Sequence, residues 1–281
     1  MTTESYEGHG PQYLNRRIVK RKVRTALFDF DGTLSLIRAG WQNIMLPYFL
    51  DELLKTPHHG SPEAEQAVIR DFVETLTGKQ TIYQCMRLAE EITCRGGKPR
   101  DPLYYKDEYL DLLWDSVGYR VAALKNGKMS TDDLLLSGSR EFLQSLKEQG
   151  IALYLASGTD HRFVEDEAAA LQVDDFFAPH IYGARDDFKS FSKQMVIDQI
   201  LKNHHLEGDE LLVVGDGYVE IENGKAVNGR ALGVACDEEL EGGWDEWKRD
   251  RLTRAGADAL VCDYMNLAGI MQWIERGPIV M

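Results

Sequence analysis

The chain is short of most features that would mark it as something other than an ordinary globular protein. Only four cysteines occur in 281 residues. Cys85, Cys94, Cys236 and Cys262 form no CxxC pair and no metal-type spacing with histidine, so free thiols in a reducing compartment are expected. No apolar run approaches the ~18 residues needed to cross a bilayer. The opening stretch MTTESYEGHGPQ lacks the apolar centre of a secretory leader, and the expected location is cytoplasmic. Positive charge is scarce: 32 basic side chains against 46 acidic ones leave a formal charge of −14. A surface so acidic repels phosphate backbones and anionic headgroups, so neither nucleic acid nor membrane is an expected partner. A small anion remains compatible with it wherever local positive charge overrides the global field. Internal repeats and low-complexity tracts are absent as well.

What is present suffices for a sizeable core, with 43% hydrophobic and 28% charged residues. Residues 1–22 read as an N-terminal arm, loose over residues 1–15. The basic run from Arg16 to Arg24 would suit a nucleic-acid arm, but it reads rather as a solvated lead-in to a strand, because it is short and the molecule is acidic. Thr25-Ala26-Leu27-Phe28 is a short buried strand. From Trp41 to about Leu124 the apolar residues recur at three- and four-residue steps, as in Val68, Phe72 and Leu76 or Leu110, Trp114, Val117 and Val121. Loops at 57–62 and 96–102 divide this stretch into about four helices. After residue 135, strand alternates with helix. Apolar runs at 151–156, 180–182, 211–214, 231–234 and 259–261 are separated by helical stretches at 139–149, 160–171 and 193–202. Such alternation implies an α/β fold, a Rossmann-like, doubly wound parallel sheet with helices on both faces. The strand at 25–28 has no partner in the helical stretch and must join that sheet. The expected organisation is therefore a core built from 23–36 and 134–281, with an all-helical domain at 37–133 inserted into it.

Ligands of open parallel sheets bind beyond the carboxyl ends of the strands, and three strands here run into polar, glycine-containing turns. At Asp29-Phe30-Asp31-Gly32-Thr33 two carboxylates leave one strand end two residues apart. Their repulsion calls for a cation, and magnesium, a hard ion that prefers oxygen and keeps water, suits them; an Asp-rich turn is the plain alternative. At Ala156-Ser157-Gly158-Thr159-Asp160 a hydroxyl and a glycine precede a helix, a setting for a phosphoryl group or for simple capping by Thr159 or Asp160. At Gly215-Asp216-Gly217 an acidic residue ends a strand, with Glu220 four positions on. Between the last two, Ser192 can cap a helix whose first turn carries Lys193, a cation set against the helix dipole and in need of an anion. Lys189 is its nearby rival. His58-His59 and His204-His205 read as exposed, and Trp41 either lines a cleft or belongs to the first helix's core.

The order and spacing of these four signals resemble the haloacid dehalogenase superfamily. Asp29-Phe30-Asp31-Gly32-Thr33 matches its first motif, DxDGT. Ser157 falls at the second motif's hydroxyl, Lys193 at the third motif's lysine, 23 residues before Asp216, and Asp216 at the fourth motif's metal aspartate. Glu220 departs from the usual GDxxxD pattern; it could hold a metal-bound water or bond Lys193. The insertion resembles the family's mobile helical cap.

The resemblance implies an Mg2+-dependent phosphatase acting on a small phosphorylated metabolite such as a sugar phosphate, through an aspartyl-phosphate. Asp29 would be the nucleophile and Asp31 the general acid and base. Gly32, Thr33, Ser157, Gly158 and Lys193 would bind phosphate, and Asp29, the Asp31 carbonyl and Asp216 the metal. Asp31 makes dehalogenation an unexpected activity, since dehalogenases of the family lack it. Phosphonate cleavage would need a cap lysine, for which Lys55, Lys79, Lys98 and Lys106 qualify by location. The same scaffold would also serve a phosphomutase or a silent phospho-ligand binder. Arg38 and Lys79 could meet substrate from the cap side.

Overall fold

The computed structural model describes residues 10–15, 21–185, 187–238 and 243–276. Among them, the apolar runs become β1 (Gln12–Tyr13), β2 (Thr25–Phe28), β3 (Ala152–Asp160), β4 (Ile181–Ala184), β5 (Leu211–Gly215), β6 (Arg230–Val234) and β7 (Ala259–Val261). They form one sheet in the order β1-β7-β6-β5-β2-β3-β4, parallel except for β1. Phe28 pairs with Leu155 on one side and Val214 on the other. This register brings the ends of β2, β3 and β5 to one edge, at the centre of the sheet.

Side chains alternate across a strand, and the two faces are buried by different helices. Ala26 and Phe28 pack with Leu153, Leu155, Leu212 and Val214 in the largest core, under α5 (Ser139–Glu148), α6 (His161–Ala170), α7 (Asp174–Phe177) and α11 (Leu267–Arg276). Leu27 faces the other way and packs with Tyr154, Leu211 and Val213 against α8 (Lys193–His204). Beside it, α9 (Tyr218–Ala226) and α10 (Glu246–Arg254) cover Ala231 and Leu260 through Ile221 and Leu252. The sheet is thus wound on both faces.

Between β2 and β3 the chain builds α1 (Gln42–Leu54), α2 (Pro62–Leu76), α3 (Thr81–Cys94) and α4 (Pro102–Lys125). Ser61 and Asp101 cap α2 and α4, each followed by a proline at the first helical position, where its missing N–H costs nothing. The four helices share a separate core that includes Phe49, Phe72, Leu88 and Tyr109. The chain enters and leaves this block through two paired segments: Leu36 N–H donates to Leu134 O (2.8 Å) and Leu136 N–H to Leu34 O (2.9 Å). Among the described residues no helix is long and apolar enough to cross a membrane.

Two details of these elements differ from the sequence reading. The arm is not loose throughout, because Gln12 and Tyr13 pair antiparallel with Leu260 and Ala259. Of its basic run, residues 16–20 lie outside the described residues; Arg21 and Arg24 approach Asp209 and Glu210 at 3.7–3.9 Å. The strand expected at 151–156 continues to Asp160, with a register shift against β4 between Ala156 and Asp160. Its polar tail therefore stays extended before α6 begins.

Candidate active site

β2 ends at Phe28, and the next residues turn across the sheet edge. Asp29 N–H still donates to Val214 O (2.9 Å), which holds the turn against β5. Asp29 is 6% exposed, and its Oδ1 lies 2.8 Å from Lys193 Nζ. Ser192 Oγ accepts from Met195 N–H (3.1 Å) and starts α8, so Lys193 occupies the first turn. Its ammonium answers the helix dipole by pairing with both Asp29 and Glu220. Lys189, the rival lysine, is exposed and lies over the Phe188 ring. Burial pushes the Asp29 carboxyl up to about 6; Lys193 opposes the shift, while Asp216 and Asp31 add to it.

Asp31 is held differently. Its Oδ2 accepts from Ser157 Oγ (3.0 Å) and Thr159 Oγ1 (2.9 Å). Its Oδ1 is buried without a hydrogen bond and lies 3.8 Å from Arg38 Nε. Arg38 is committed to the fully buried Glu167, at 2.6 Å from Nη2 and 3.1 Å from Nε. The polar end of β3 thus supplies hydroxyls to Asp31 instead of capping α6. Asp160 pairs with Lys106 at 2.6 Å and makes no cap bond.

Asp216 follows β5. Its N–H donates to Thr33 Oγ1 (3.0 Å), and Tyr264 OH donates to Thr33 O (3.0 Å). Thr33, expected to touch phosphate, is fully buried and does not line the cavity; its hydroxyl fixes the turn that carries Asp216. Asp216 Oδ2 lies 2.9 Å from Lys248 Nζ, which also reaches Glu238 Oε1 at 2.6 Å. Burial works against the Lys248 charge, but Asp216 and Glu238 outweigh it and hold its pKa above the ordinary lysine value.

Asp29, Asp31, Gly32, Ser157, Gly158, Lys193, Asp216 and Glu238 line one side of a cavity of about 110 Å³. The helical block closes the other side with Arg38, Trp41, Met45, Lys79, Thr81, Gln84, Tyr109 and Leu113. Trp41 therefore belongs to the cleft as well as packing on the helical core. Glu220 lies outside the cavity and bonds Lys193, the second of the two roles open to it. Of the four cap lysines, Lys79 alone among the cavity's described residues lines it. Lys55 pairs with Glu52, Lys98 is exposed and Lys106 is buried on Asp160.

The donor set fits a hard divalent cation. Among the described residues, the carboxylates of Asp29, Asp31, Asp216 and Glu238 line the cavity; Lys193 pairs with Asp29 and Glu220, Lys248 with Asp216 and Glu238, and Arg38 is taken by Glu167. Gly32 has φ +70°, and a Cβ there would lie 2.4 Å from Asp216 Oδ2 and 2.7 Å from Glu238 Oε1. A side chain is thereby excluded from the space between the Asp31 backbone and these oxygens. Among the described residues no three carboxylate, thiol or imidazole groups enclose an ion by themselves. Two aspartates and a main-chain carbonyl with water completing the shell is the arrangement magnesium accepts.

Thr159, Glu167, Glu238 and Lys248 are site residues that the sequence reading did not assign. Glu238 follows β6, and the strand-end rule that located Asp216 applies equally there.

These features define a hydrolase of the haloacid dehalogenase kind, built on a parallel sheet with helices on both faces. The model of the haloacid dehalogenase-like hydrolase family matches residues 23–228, and the chain belongs to that family. Similar solved structures include one described as a predicted phosphoglycolate phosphatase from Haemophilus somnus, 16% identical, covering 90% of this chain and 99% of that one at TM-score 0.60. A β-phosphoglucomutase from Clostridium difficile is 14% identical, covering 90% and 97% at TM-score 0.59. A family hydrolase from Deinococcus radiodurans, solved with bound phosphate and sodium, is 16% identical, covering 90% and 96% at TM-score 0.52. At these identities the likeness concerns the fold. A search of curated proteins finds no match.

Proposed function

We propose that this hydrolase is a magnesium-dependent phosphatase that cleaves a small phosphorylated metabolite through an aspartyl-phosphate on Asp29. One observation carries the reading. Asp29 and Asp31 open onto one cavity but are held by different partners, Asp29 by an ammonium and Asp31 by two hydroxyls. A nucleophile must be ionised and aimed, whereas a general acid and base must exchange a proton at a fixed place. A mere phosphate binder has no use for such a pair.

In the first step an Asp29 oxygen attacks phosphorus, the bond to the leaving oxygen breaks, and Asp31 gives that oxygen its proton. In the second step Asp31 takes a proton from water as the water oxygen attacks the aspartyl-phosphate; inorganic phosphate leaves and Asp29 is restored. Lys193 and the Gly158 backbone would offer donors to the phosphoryl oxygens from the same wall, and the Ser157 hydroxyl, which donates to Asp31 in this structure, would join them by turning from that carboxylate. Magnesium, held by Asp29, Asp216 and the Asp31 carbonyl, would supply charge neutralisation between the anionic nucleophile and the phosphoryl group. Phosphoryl transfer depends mainly on such positioning and neutralisation. The helical block, taken as a cap spanning 37–133 on a core of 23–36 and 134–281, would exclude water and select the leaving group.

Phosphate release across a panel of small phosphoesters, with and without magnesium, tests the reading. Asp29→Asn should reduce turnover at least ~10³-fold with the circular-dichroism spectrum unchanged. Turnover near the wild-type rate in that variant would overturn the nucleophile assignment. Transfer to a second sugar hydroxyl in place of phosphate release would make the enzyme a mutase.

A further inference from the structure

Helix α10 has a polar sequence, Glu246 to Arg254, yet one of its lysines is drawn inward. Lys248 is 9% exposed overall, and its ammonium bridges Asp216 Oδ2 (2.9 Å) and Glu238 Oε1 (2.6 Å). Its backbone is fixed independently: Lys248 N–H donates to Asp245 Oδ1 (3.0 Å), the cap of the helix. The same Asp216 oxygen faces the Gly32 backbone, 2.4 Å from where a Cβ would stand, and Glu238 Oε1 faces that point at 2.7 Å. The lysine's anchor and the space for a divalent cation therefore share one carboxylate.

We propose that Lys248 is a tethered competitor for the divalent-cation site: it must release Asp216 before the cation binds there, and Glu238 is the carboxylate that keeps it. The proposal rests on the magnesium site described above. An ammonium and a divalent cation on one carboxylate oxygen repel each other strongly in a buried setting. Four methylenes separate the Lys248 charge from its fixed backbone, so the ammonium can move while α10 does not. Glu238, already its second partner, prevents the displaced charge from being buried alone, which would be costly. Lys248 thereby lowers the affinity for magnesium and keeps Asp216 paired when the cation is scarce.

The experiment is a calorimetric titration of magnesium into the full chain, without substrate. Lys248→Met should tighten the dissociation constant at least ~10-fold, and Lys248→Gln should tighten it in the same direction. Unchanged or weaker binding in folded Lys248→Met would overturn the proposal, since a purely structural lysine predicts no gain. The wild-type protein provides a test that needs no variant to fold. Acetylation of lysines, read by mass spectrometry, should find Lys248 protected in chelator and more reactive as magnesium is added. Protection that persists or increases with magnesium would overturn the proposal. Asp216→Asn separates the two readings. If it binds magnesium as tightly as wild type, the assigned metal site is wrong and the competition falls with it. If it abolishes binding while Lys248→Met changes nothing, the metal site stands and the role of Lys248 fails.

Discussion

At the scale of single residues, two buried charges control what the site can tolerate. Asp29 titrates in the folded chain at about 6, chiefly through burial, against the ordinary 3.8. The folded state thus holds its proton more tightly than the unfolded state does. That contribution to stability is complete below pH 3.8 and is lost as pH rises through about 6. In chelator, wild-type melting temperature should therefore fall across this window, and Asp29→Asn should remove the fall and melt higher than wild type at pH 8. A melting profile with the same slope in both proteins would count against the assigned cause. Lys193 presents the opposite case. Lys193→Met leaves Asp29 and Glu220 buried without their shared ammonium, a loss of the kind that costs 3–5 kcal/mol. Lys193→Met should lower stability by roughly that amount, and Lys193→Met with Glu220→Gln should recover about half of it. Denaturant melts at pH 8 compare the three proteins; no recovery in the double variant would mean that Glu220 is not the stranded charge.

At the scale of elements, the helical block is docked on the core at the end of α2 and the segment that follows it, and again where Lys106 of α4 pairs with Asp160. Arg251 of α10 donates to Thr75 O (3.3 Å) and Thr77 O (3.4 Å) while its guanidinium lies over Tyr218 (4.5 Å) and Trp247 (4.8 Å). Gln80 Nε2 donates to Phe188 O (3.0 Å) and Phe191 O (2.8 Å), just before α8. A Cβ on Gly158 would lie 2.9 Å from Lys79 O, so the end of β3 and this segment meet backbone to backbone. Arg251→Ala should raise KM about fivefold with kcat and melting temperature little changed, because it removes contacts that hold the block down and spares the chemistry. Steady-state kinetics decide this, and a fall confined to kcat would refute it. Elements were legible in the sequence where burial was continuous: the runs at 25–28, 211–214 and 259–261 became β2, β5 and β7, and the 3.6-residue period of 41–124 became four helices. Two-residue β1 carries no period to read, and Ser157 to Asp160 have turn composition although the sheet holds them extended. The candidate site divides in the same way. Residues at strand ends, Asp29, Asp31, Ser157 and Asp216, are marked by the local change from apolar to polar. Lys248 is not, because a lysine on so polar a helix looks solvated, and only the tertiary fold sets it beside Asp216.

At the scale of the whole molecule, two separately cored parts meet at a cavity that, on the proposed function, would limit the substrate. The floor comes from the ends of β2, β3 and β5, the roof from α1, α3 and α4, and the volume between them is about 110 Å³. That is well below the ~300–1,000 Å³ of clefts that enclose drug-sized ligands. With a phosphoryl group on the floor, as proposed, little room would be left for the leaving group, and its neighbours would be Trp41, Met45, Tyr109 and Leu113 beside the polar Thr81 and Gln84. A leaving group of a few heavy atoms can be covered; a nucleoside would hold the block open and admit water to the reacting centre. The ratio of kcat/KM between a two- or three-carbon phosphoester and a nucleoside monophosphate should accordingly exceed ~100. Trp41 is the roof residue to change, since it is half-buried and contributes less to the helical core than Leu113. Trp41→Ala should lower that ratio at least ~10-fold, mainly by improving the bulky substrate, because the removed indole vacates leaving-group space. Equal losses for both substrates would show instead that Trp41 serves closure in general, and a ratio near one in the wild-type enzyme would mean that the roof does not select by size.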